Sequence, residues 1–393
     1  MVSPFQEISL NPRPDSLTNR FGIYVHVPFC IHKCSYCDFY SFTKYSSADF
    51  NSFVDSLILE VRSAAQWLSV HRPTQQPVTS IFLGGGTPSL LPTNYLGTLF
   101  EVLSNEFSWA PNIEITLEAN PETVSEDLAR EWKEKTPINR ISMGAQSFQP
   151  EYLKALERLG SPEKIREAAA ILKKSGFSNF NLDLIIGIPG QTSDQVKKDI
   201  EWAGELGSTH ISNYNLTLKP GHPLFKKLPP DDESADLYET ARIRLKELGY
   251  VQYEISNYAL PGFECSHNLL YWTGGDFLGV GPSAASRFFW DGVFHHRKQL
   301  ADYSQYARLE DFSETPWNAI SREQTQLEAL FLELRRNEGI HVGQFFKRYG
   351  LNLEQSSKLP FLEKMGFLEM QKPTLRLTDK GRLVADSLVC ELI

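Results

Sequence analysis

The chain has 393 residues, which is enough for one large α/β domain and a smaller one. Its 48 acidic residues outnumber its 39 basic ones, and the formal net charge of -9 disfavours general binding to nucleic-acid backbones, which depends on clustered lysine and arginine. No apolar run approaches the roughly 18 residues of a membrane span, and the N-terminus lacks a signal-peptide pattern. With only five cysteines as well, we expect a cytoplasmic protein with reduced thiols and no nucleic-acid partner.

After a polar lead-in of residues 1–20, short aliphatic runs alternate with helical patterns. The six runs are GIYVHV, TSIFLG, IEITLEA, RISMGAQ, NFNLDLIIG and HISNYNLTL. One intervening helix candidate is SPEKIREAAAILKKSGF, with Ser161 as N-cap, Pro162 in the first turn and Gly176 at its end. Six strand-helix repeats imply parallel strands, so the sequence predicts an α/β fold with a partial (β/α)6 TIM-type barrel over residues 21–250. A doubly wound open sheet is the alternative, but no GxGxxG follows the first strand.

Polar and glycine-rich segments follow the predicted strands, at the edge where barrel enzymes place their active sites. They are the cysteine loop from Cys30 to Cys37, then Gly84, Gly85, Gly86 and Thr87, then Glu118, Gln146 and Asp183 in the third, fourth and fifth strands. We therefore expect these features to face one rim of the barrel.

The remaining chain divides into two segments. Residues 251–320 are irregular and aromatic, and we interpret them as further sheet and loops that close the site. Residues 321–393 predict a small winged-helix-like domain, with Thr374 to Leu377 as a strand of the wing. Its mixed charges argue against a DNA-binding domain. The remaining interpretations are that it covers the substrate, that it docks a partner protein, or that it simply packs against the barrel.

Cys30, Cys34 and Cys37 form a CxxxCxxC loop. Soft thiolates suit iron, so each can bind one iron of a 4Fe-4S cluster and leave the fourth iron open. S-adenosylmethionine can chelate that iron through its amine and carboxylate, and one electron would then cleave its sulfonium bond to give a 5′-deoxyadenosyl radical. The alternatives are a zinc site completed by His32 or His26, in a structural or interaction protein, and a buried group of reduced thiols.

This cysteine spacing, with Tyr36 directly before the last cysteine and GGGTPS after the second strand, resembles the radical S-adenosylmethionine superfamily. YVHVPFC, EANPE, NRISMGAQSF, DLIIGIPGQT and LTDKG resemble the branch that contains oxygen-independent coproporphyrinogen III oxidase and the heme chaperone HemW. The resemblance runs from about Gly22 to the C-terminus. It implies a 4Fe-4S cluster, S-adenosylmethionine and an electron donor for the cluster.

The resemblance also implies roles for single residues, with the three cysteines as ligands of the cluster. The residues that would line the S-adenosylmethionine pocket are Tyr24, Tyr36, Gly85, Gly86, Thr87, Glu118, Gln146, Arg158, Asp183, Thr217 and Ala285. Glycines let a ligand approach the backbone, an arginine can grip a carboxylate, and an aspartate can accept from ribose hydroxyls. Each charged residue alone is more often a surface charge, but Glu118 and Asp183 stand in apolar strands, where an unpaired carboxylate is costly.

The chain departs from this branch in informative places. Phe39 stands where the oxidase has a further cysteine, two residues after Cys37, and the oxidase also has a longer N-terminal arm. Gly160 stands where the family often has histidine, two residues after Arg158. Conversely, HNLLYW at residues 267–272 matches the HNxxYW pattern associated with heme handling in the chaperone. We therefore predict a chaperone that binds heme and transfers it to an acceptor protein, with the oxidase as the alternative.

Heme iron takes an axial imidazole, and the macrocycle prefers apolar and aromatic walls. His267 with Tyr271 and Trp272 supplies both, and Cys265 offers a thiolate instead. The competing interpretation is a structural turn in which Asn268 caps and the two aromatic residues lie in the core. Membrane contact is expected only through the acceptor.

Overall fold

The computed structural model describes residues 20–72, 76–309 and 315–392. Six consecutive strands form the centre of one sheet, and each pairs in parallel with the next. They are β1 (Phe21–Val27), β2 (Val78–Gly85), β3 (Trp109–Ala119), β4 (Arg140–Gln146), β5 (Phe180–Ile186) and β6 (His210–Asn215). All six coincide with the predicted runs, which confirms the parallel α/β fold.

Helices connect these strands and cover one face of the sheet. They are α1 (Ser47–His71), α2 (Thr93–Glu106), α3 (Glu126–Lys135), α4 (Pro150–Ala155), α5 (Pro162–Lys174), α6 (Ser193–Glu205) and α7 (Asp231–Glu247). As predicted, the Ser161 side chain accepts from the Lys164 N–H at the start of α5, and Gly176 follows its end with φ of 86°.

The chain then extends the sheet at both edges. The added elements are β7 (Val251–Gln252), β8 (Asn257–Ala259), α8 (Ser266–Trp272), β9 (Asp276–Val280), β10 (Ala285–Trp290), β11 (Val293–Lys298), α9 (Tyr303–Tyr306) and β12 (Asn318–Ala319). Strand β9 pairs in parallel with β1, so seven described strands are parallel where six were predicted. The order is β12-β11-β10-β9-β1-β2-β3-β4-β5-β6-β8-β7, with antiparallel pairs at each end and two free edges, as in a partial barrel.

Strand alternation gives the sheet an apolar face and a polar face. Ile23, Val25 and Leu83 pack with the helices in the main core. The alternate residues carry polar side chains that bond to one another across strands, such as the Asn181 amide to the Ser142 hydroxyl at 2.8 Å. The polar face is therefore the interior of the half-barrel, opposite the helices.

The C-terminal residues form a second unit with its own core. Its elements are α10 (Arg322–Glu333), β13 (Ile340–His341), α11 (Val342–Tyr349), α12 (Leu359–Lys364), β14 (Leu368–Gln371), β15 (Thr374–Leu377), α13 (Asp379–Arg382) and α14 (Ala385–Leu392). Strand β15 matches the predicted wing and lies between β13 and β14. Phe294 of β11 belongs to this second core, so the unit packs directly on the extended sheet.

The predicted lead-in lies outside the described residues apart from Arg20, and the four segment boundaries stay predictions. None of the helices in the described ranges combines the length and apolar character that crossing a bilayer requires.

The buried carboxylate of Glu60 connects α1 to the extended sheet through hydrogen bonds and an ion pair. Glu60 of α1 is fully buried and accepts from the Gly281 N–H at 2.7 Å and the Tyr306 hydroxyl at 2.8 Å. Its partner cation is Arg297 of β11, at 3.8 Å.

Replacing Glu60 with alanine should lower the free energy of unfolding by about 3 to 5 kcal/mol, because a buried charge pair loses one member. Urea unfolding measures this change. Asp55→Ala, at an exposed position of the same helix, is the matched control and should stay within about 0.5 kcal/mol of wild type. Equal effects of the two substitutions would contradict the assignment.

Candidate functional site

The cysteine loop between β1 and α1 is closed by backbone hydrogen bonds. The Cys30 N–H donates to the Phe42 carbonyl at 3.0 Å, and the Phe42 N–H donates to the Pro28 carbonyl at 2.9 Å. Within the loop the Cys37 N–H donates to the Cys34 carbonyl at 3.1 Å, which forms a tight turn. The two ends of the loop are therefore hydrogen-bonded to each other, and the three thiols lie on the short segment between them.

The glycine segment after β2 lies directly against this loop. The Thr87 N–H donates to the Phe29 carbonyl at 2.7 Å, and a Cβ on Gly86 would stand 2.6 Å from that oxygen. Gly85 has φ of 106°, and a Cβ there would meet the His26 ring at 2.5 Å. Only glycine fits at either position, and the backbone of both stays partly accessible.

Two hydrogen-bond donors point at cysteine sulfurs. The Thr87 hydroxyl donates to Cys30 Sγ at 3.6 Å, and the Arg158 guanidinium donates to Cys34 Sγ at 3.7 Å. The Asn120 side chain joins them, since its amide donates to Thr87 Oγ1 at 3.1 Å and its carbonyl accepts from Arg158 at 2.9 Å. Donors of this kind stabilise ionised sulfur, so the surroundings fit thiolates that bind metal.

Burial raises the pKa of two side chains of the cysteine loop, Cys37 and Tyr36. It raises the pKa of the Cys37 thiol, and the neighbouring Cys30 and Cys34 raise it further. Burial raises the pKa of Tyr36 as well, against the opposing charge of Arg158. The Cys37 thiol therefore lies within electrostatic reach of Cys30 and Cys34.

The two histidines considered for a zinc site have other surroundings. The His26 ring nitrogens hydrogen-bond to the Tyr24 hydroxyl at 3.0 Å and to the Tyr40 carbonyl at 2.8 Å. His32 is exposed. Within the described ranges, no three His, Cys, Asp or Glu side chains converge on a position for a single metal ion.

Two carboxyl groups, those of Glu118 and Asp183, lie on the interior face of the half-barrel. Glu118 accepts from the Gly85 N–H at 3.1 Å, and Asp183 accepts from the Asn181 amide at 2.8 Å. Burial, followed by the Asp183 charge, raises the pKa of Glu118 to about 8, and burial also raises the pKa of Asp183. A ligand whose hydroxyls donate to these groups would favour their ionised forms.

Gln146 ends β4 with φ of 66°, a backbone conformation that residues other than glycine rarely adopt. A Cβ on Gly144 would stand 2.7 Å from the Gln146 amide nitrogen and 3.3 Å from the Arg158 guanidinium. Arg158 also donates to the Gly144 carbonyl at 2.9 Å. The missing side chain at Gly144 thus lets the Gln146 amide lie beside Arg158, next to the cysteine loop.

The two remaining predicted pocket residues, Thr217 and Ala285, are both exposed. Thr217 is exposed after β6 and donates weakly to the Asn215 carbonyl at 3.5 Å, and Ala285 is exposed at the start of β10. Both lie near the rim, but no hydrogen bond in the described part of the chain joins either to the cysteine loop.

The HNLLYW segment is helix α8, and its histidine points into the half-barrel. His267 is 1% exposed, and its ring nitrogens hydrogen-bond to the Ser80 hydroxyl and the Tyr271 hydroxyl, both at 2.8 Å. The ring stacks on Phe82 with centroids 5.3 Å apart. Burial, then the nearby Arg140 charge, lowers the pKa of His267 to about 3, so the imidazole is neutral.

A carboxylate of the barrel holds the N-terminus of α8. Glu114 of β3 accepts from the Ser266 N–H at 3.0 Å, the His267 N–H at 3.2 Å and the Cys265 thiol at 3.4 Å. Glu114, and not Asn268, therefore caps this helix, which differs from the capped turn considered in the sequence.

The C-terminal unit holds the other end of α8. The Arg348 guanidinium donates to the Thr273 carbonyl at 3.1 Å and the Gly274 carbonyl at 2.7 Å, as cations favour at helix ends. The Arg335 guanidinium lies 5.4 Å from the Trp272 ring centroid. The described structure thus fixes α8 between the barrel and the C-terminal unit.

Sequence reasoning assigned no role to Asn120, Glu114, Ser80 or Arg348. Asn120 stands inside the quoted EANPE segment, and Glu114 is a carboxylate in an apolar run, so both carried a usable signal. Gly160 lies beside the Glu122 carboxylate, which would have to shift if a Cβ were present.

Comparison with known proteins gives consistent matches. Residues 24–203 match the radical SAM superfamily, and residues 320–384 match the HemN C-terminal domain. The chain is 31% identical to a protein named heme chaperone HemW from Mycobacterium tuberculosis, over 100% of this chain and 98% of that one. It is 32% identical to a protein of the same name from Haemophilus influenzae, over 94% and 96% of the two chains.

Among solved structures, coproporphyrinogen III oxidase (HemN) from Escherichia coli superposes with a TM-score of 0.78, covering 96% of this chain and 91% of that one. The identity is 22%, so this likeness concerns the fold alone. The family follows from the relatives that match along the entire chain. This chain belongs to the heme chaperone HemW family, within the radical S-adenosylmethionine superfamily.

Proposed function

We propose that this protein is a heme chaperone that binds heme and transfers it to an acceptor protein, and that it carries a 4Fe-4S cluster and S-adenosylmethionine. The observation that carries the proposal is the similarity to proteins named heme chaperone HemW over the full length of the chain. The intact HNLLYW segment supports it.

On this proposal Cys30, Cys34 and Cys37 hold the cluster, which supplies one-electron chemistry when bound. Hydrogen bonds from Thr87 and Arg158 to two of the sulfurs support that assignment. These donors favour the ionised ligands and hold them in place.

The S-adenosylmethionine site adjoins the cluster. Gly85 and Gly86 would bind the methionine end through their backbone, and Arg158 and Gln146, which lie beside each other, would bind its carboxylate. Glu118 and Asp183 would accept from ribose hydroxyls, which would favour the ionised forms of both carboxyl groups. Tyr24, Tyr36, Thr217 and Ala285 complete the proposed site.

The alternative is coproporphyrinogen III oxidase. Phe39 occupies the position of the oxidase's further cysteine and is 65% exposed, so it neither ligates nor packs. The likeness to the solved oxidase is one of fold, and a fold alone does not decide between the two activities. We therefore keep the oxidase as the second candidate, to be separated by assay.

Heme binding through His267 requires α8 to change position. Both ring nitrogens have partners and the side chain is buried, so iron can reach the imidazole only after one hydrogen bond breaks. Cys265 is less suited, because burial raises the pKa of its thiol to about 12. We propose that α8 swings away from Ser80 and Phe82 when heme binds.

The partners follow from this function: heme, a heme-accepting protein and an electron donor for the cluster. We propose a cytoplasmic location, membrane contact only through the acceptor, and no nucleic-acid partner.

Cys34→Ala should leave the anaerobically reconstituted protein without a stable cluster, because one of three ligands is lost. Iron and labile sulfide, each about four per chain in wild type for a 4Fe-4S cluster, measure this. Cys390→Ala changes an exposed cysteine of α14 and should keep both. Zinc in place of iron and sulfide would contradict the proposal and support a structural zinc protein.

His267→Ala should weaken heme binding by at least about tenfold, or roughly 1.4 kcal/mol, because the axial ligand is lost. Titration with heme followed by absorbance measures the dissociation constant. His210→Ala is the matched control, since His210 is equally buried and also hydrogen-bonded at both ring nitrogens, to Asn181 and Tyr253.

The same preparations should show no decarboxylation of coproporphyrinogen III. S-adenosylmethionine-dependent decarboxylation, together with heme uptake that neither histidine affects, would establish the oxidase instead.

Arg348→Ala should accelerate heme association about tenfold, because the hydrogen bonds from Arg348 to the carbonyls at the carboxyl end of α8 are removed and α8 can move more easily. Stopped-flow absorbance measures the rate. Lys347→Ala changes the exposed neighbour on α11 and should leave the rate unchanged. An unchanged rate in the Arg348 variant would show that α8 does not limit access.

A further inference from the structure

A buried carboxylate outside the proposed site holds the segment that follows β4. Asp199 of α6 is 3% exposed. It accepts from the Ser147 hydroxyl at 2.6 Å, the Phe148 N–H at 2.9 Å and the Gln149 amide at 3.4 Å. Burial raises the pKa of Asp199 to about 6, against these donors, so the group is still ionised near neutral pH.

These contacts build a tight turn directly after Gln146. The Ser147 N–H donates to the Ala145 carbonyl at 2.8 Å, which reverses the chain around Gln146. The Ser147 hydroxyl accepts from the Gln149 N–H at 3.1 Å while it donates to Asp199. One carboxylate thus organises three consecutive residues of the turn.

The turn holds Gln146 in a conformation that it would not adopt alone. A positive φ costs a residue with a side chain on the order of 1 kcal/mol or more, so surrounding contacts must hold it. The result is the placement of the Gln146 amide beside Gly144 and Arg158, next to the cysteine loop. Because the surrounding contacts maintain this strained backbone at Gln146, we infer that the direction of the Gln146 side chain is important for function.

We propose that Asp199 is a positioning residue, which acts through the Ser147–Gln149 turn to aim the Gln146 amide at S-adenosylmethionine. The inference rests on the proposed function, because Gln146 acts there as a ligand-binding residue. Asp199 itself lies on α6, behind the turn, and touches no ligand.

The test compares affinities of the cluster-loaded protein for S-adenosylmethionine, measured by equilibrium dialysis. Asp199→Asn preserves the shape but removes the charge that draws three donors, and Asp199→Ala removes the acceptor. Each should weaken binding about tenfold. Asp194→Asn, in the exposed first turn of the same helix, is the matched control and should bind as wild type does.

A double-mutant cycle separates positioning from general destabilisation. In a Gln146→Ala background, Asp199→Asn should have no further effect on the affinity, because there is no amide to aim. An equal loss in both backgrounds would overturn the proposal and assign Asp199 a structural role.

The readouts also separate this proposal from the one it rests on. Tight wild-type binding that Gln146→Ala weakens and Asp199→Asn does not would overturn the positioning role alone. Absence of S-adenosylmethionine binding by the wild-type protein would overturn the proposed function and this inference with it.

Discussion

The site depends on the contact between two loops that follow neighbouring parallel strands. Parallel pairing of β1 and β2 brings their carboxyl ends together, so the cysteine loop and the glycine segment meet there. The backbone bond from Thr87 to Phe29 fixes their relative position, and the missing side chain of Gly86 permits it. The hydrogen-bonded chain of Thr87, Asn120 and Arg158 then extends this contact to two sulfurs.

The interior of the half-barrel connects two regions that the sequence keeps far apart. The rim carries the cysteines and carboxylates, and α8 inserts His267 between Ser80 and Tyr271 deeper inside. Phe82 contacts both regions, since its ring stacks on His267 and lies 6.4 Å from Tyr24, centroid to centroid. A displacement of α8 would therefore alter the wall of the proposed cofactor site.

The sequence predicted the central sheet well, because apolar residues recur at alternate positions of short β-branched and aliphatic runs, on the face that the helices cover. The three cysteines of the loop were also easy to identify, because they are local in sequence. The sequence did not predict that β9 joins the parallel sheet beside β1, since DFLGV is short and its partner lies some 250 residues earlier. The contact of Arg348 with the end of α8 was missed for the same reason: it joins residues that are distant in the chain and carry no local pattern.

The raised pKa of Glu118 links ligand binding to proton exchange. With a pKa of about 8, this carboxyl is mostly protonated at neutral pH when no ligand is present. A ligand whose hydroxyls donate to it favours the ionised form and lowers that pKa, so binding releases a proton. Affinity for such a ligand then rises with pH up to about 8 and levels off above it. The heat of binding would consequently differ between buffers of different ionisation enthalpy, which makes the release of protons at this site measurable in solution.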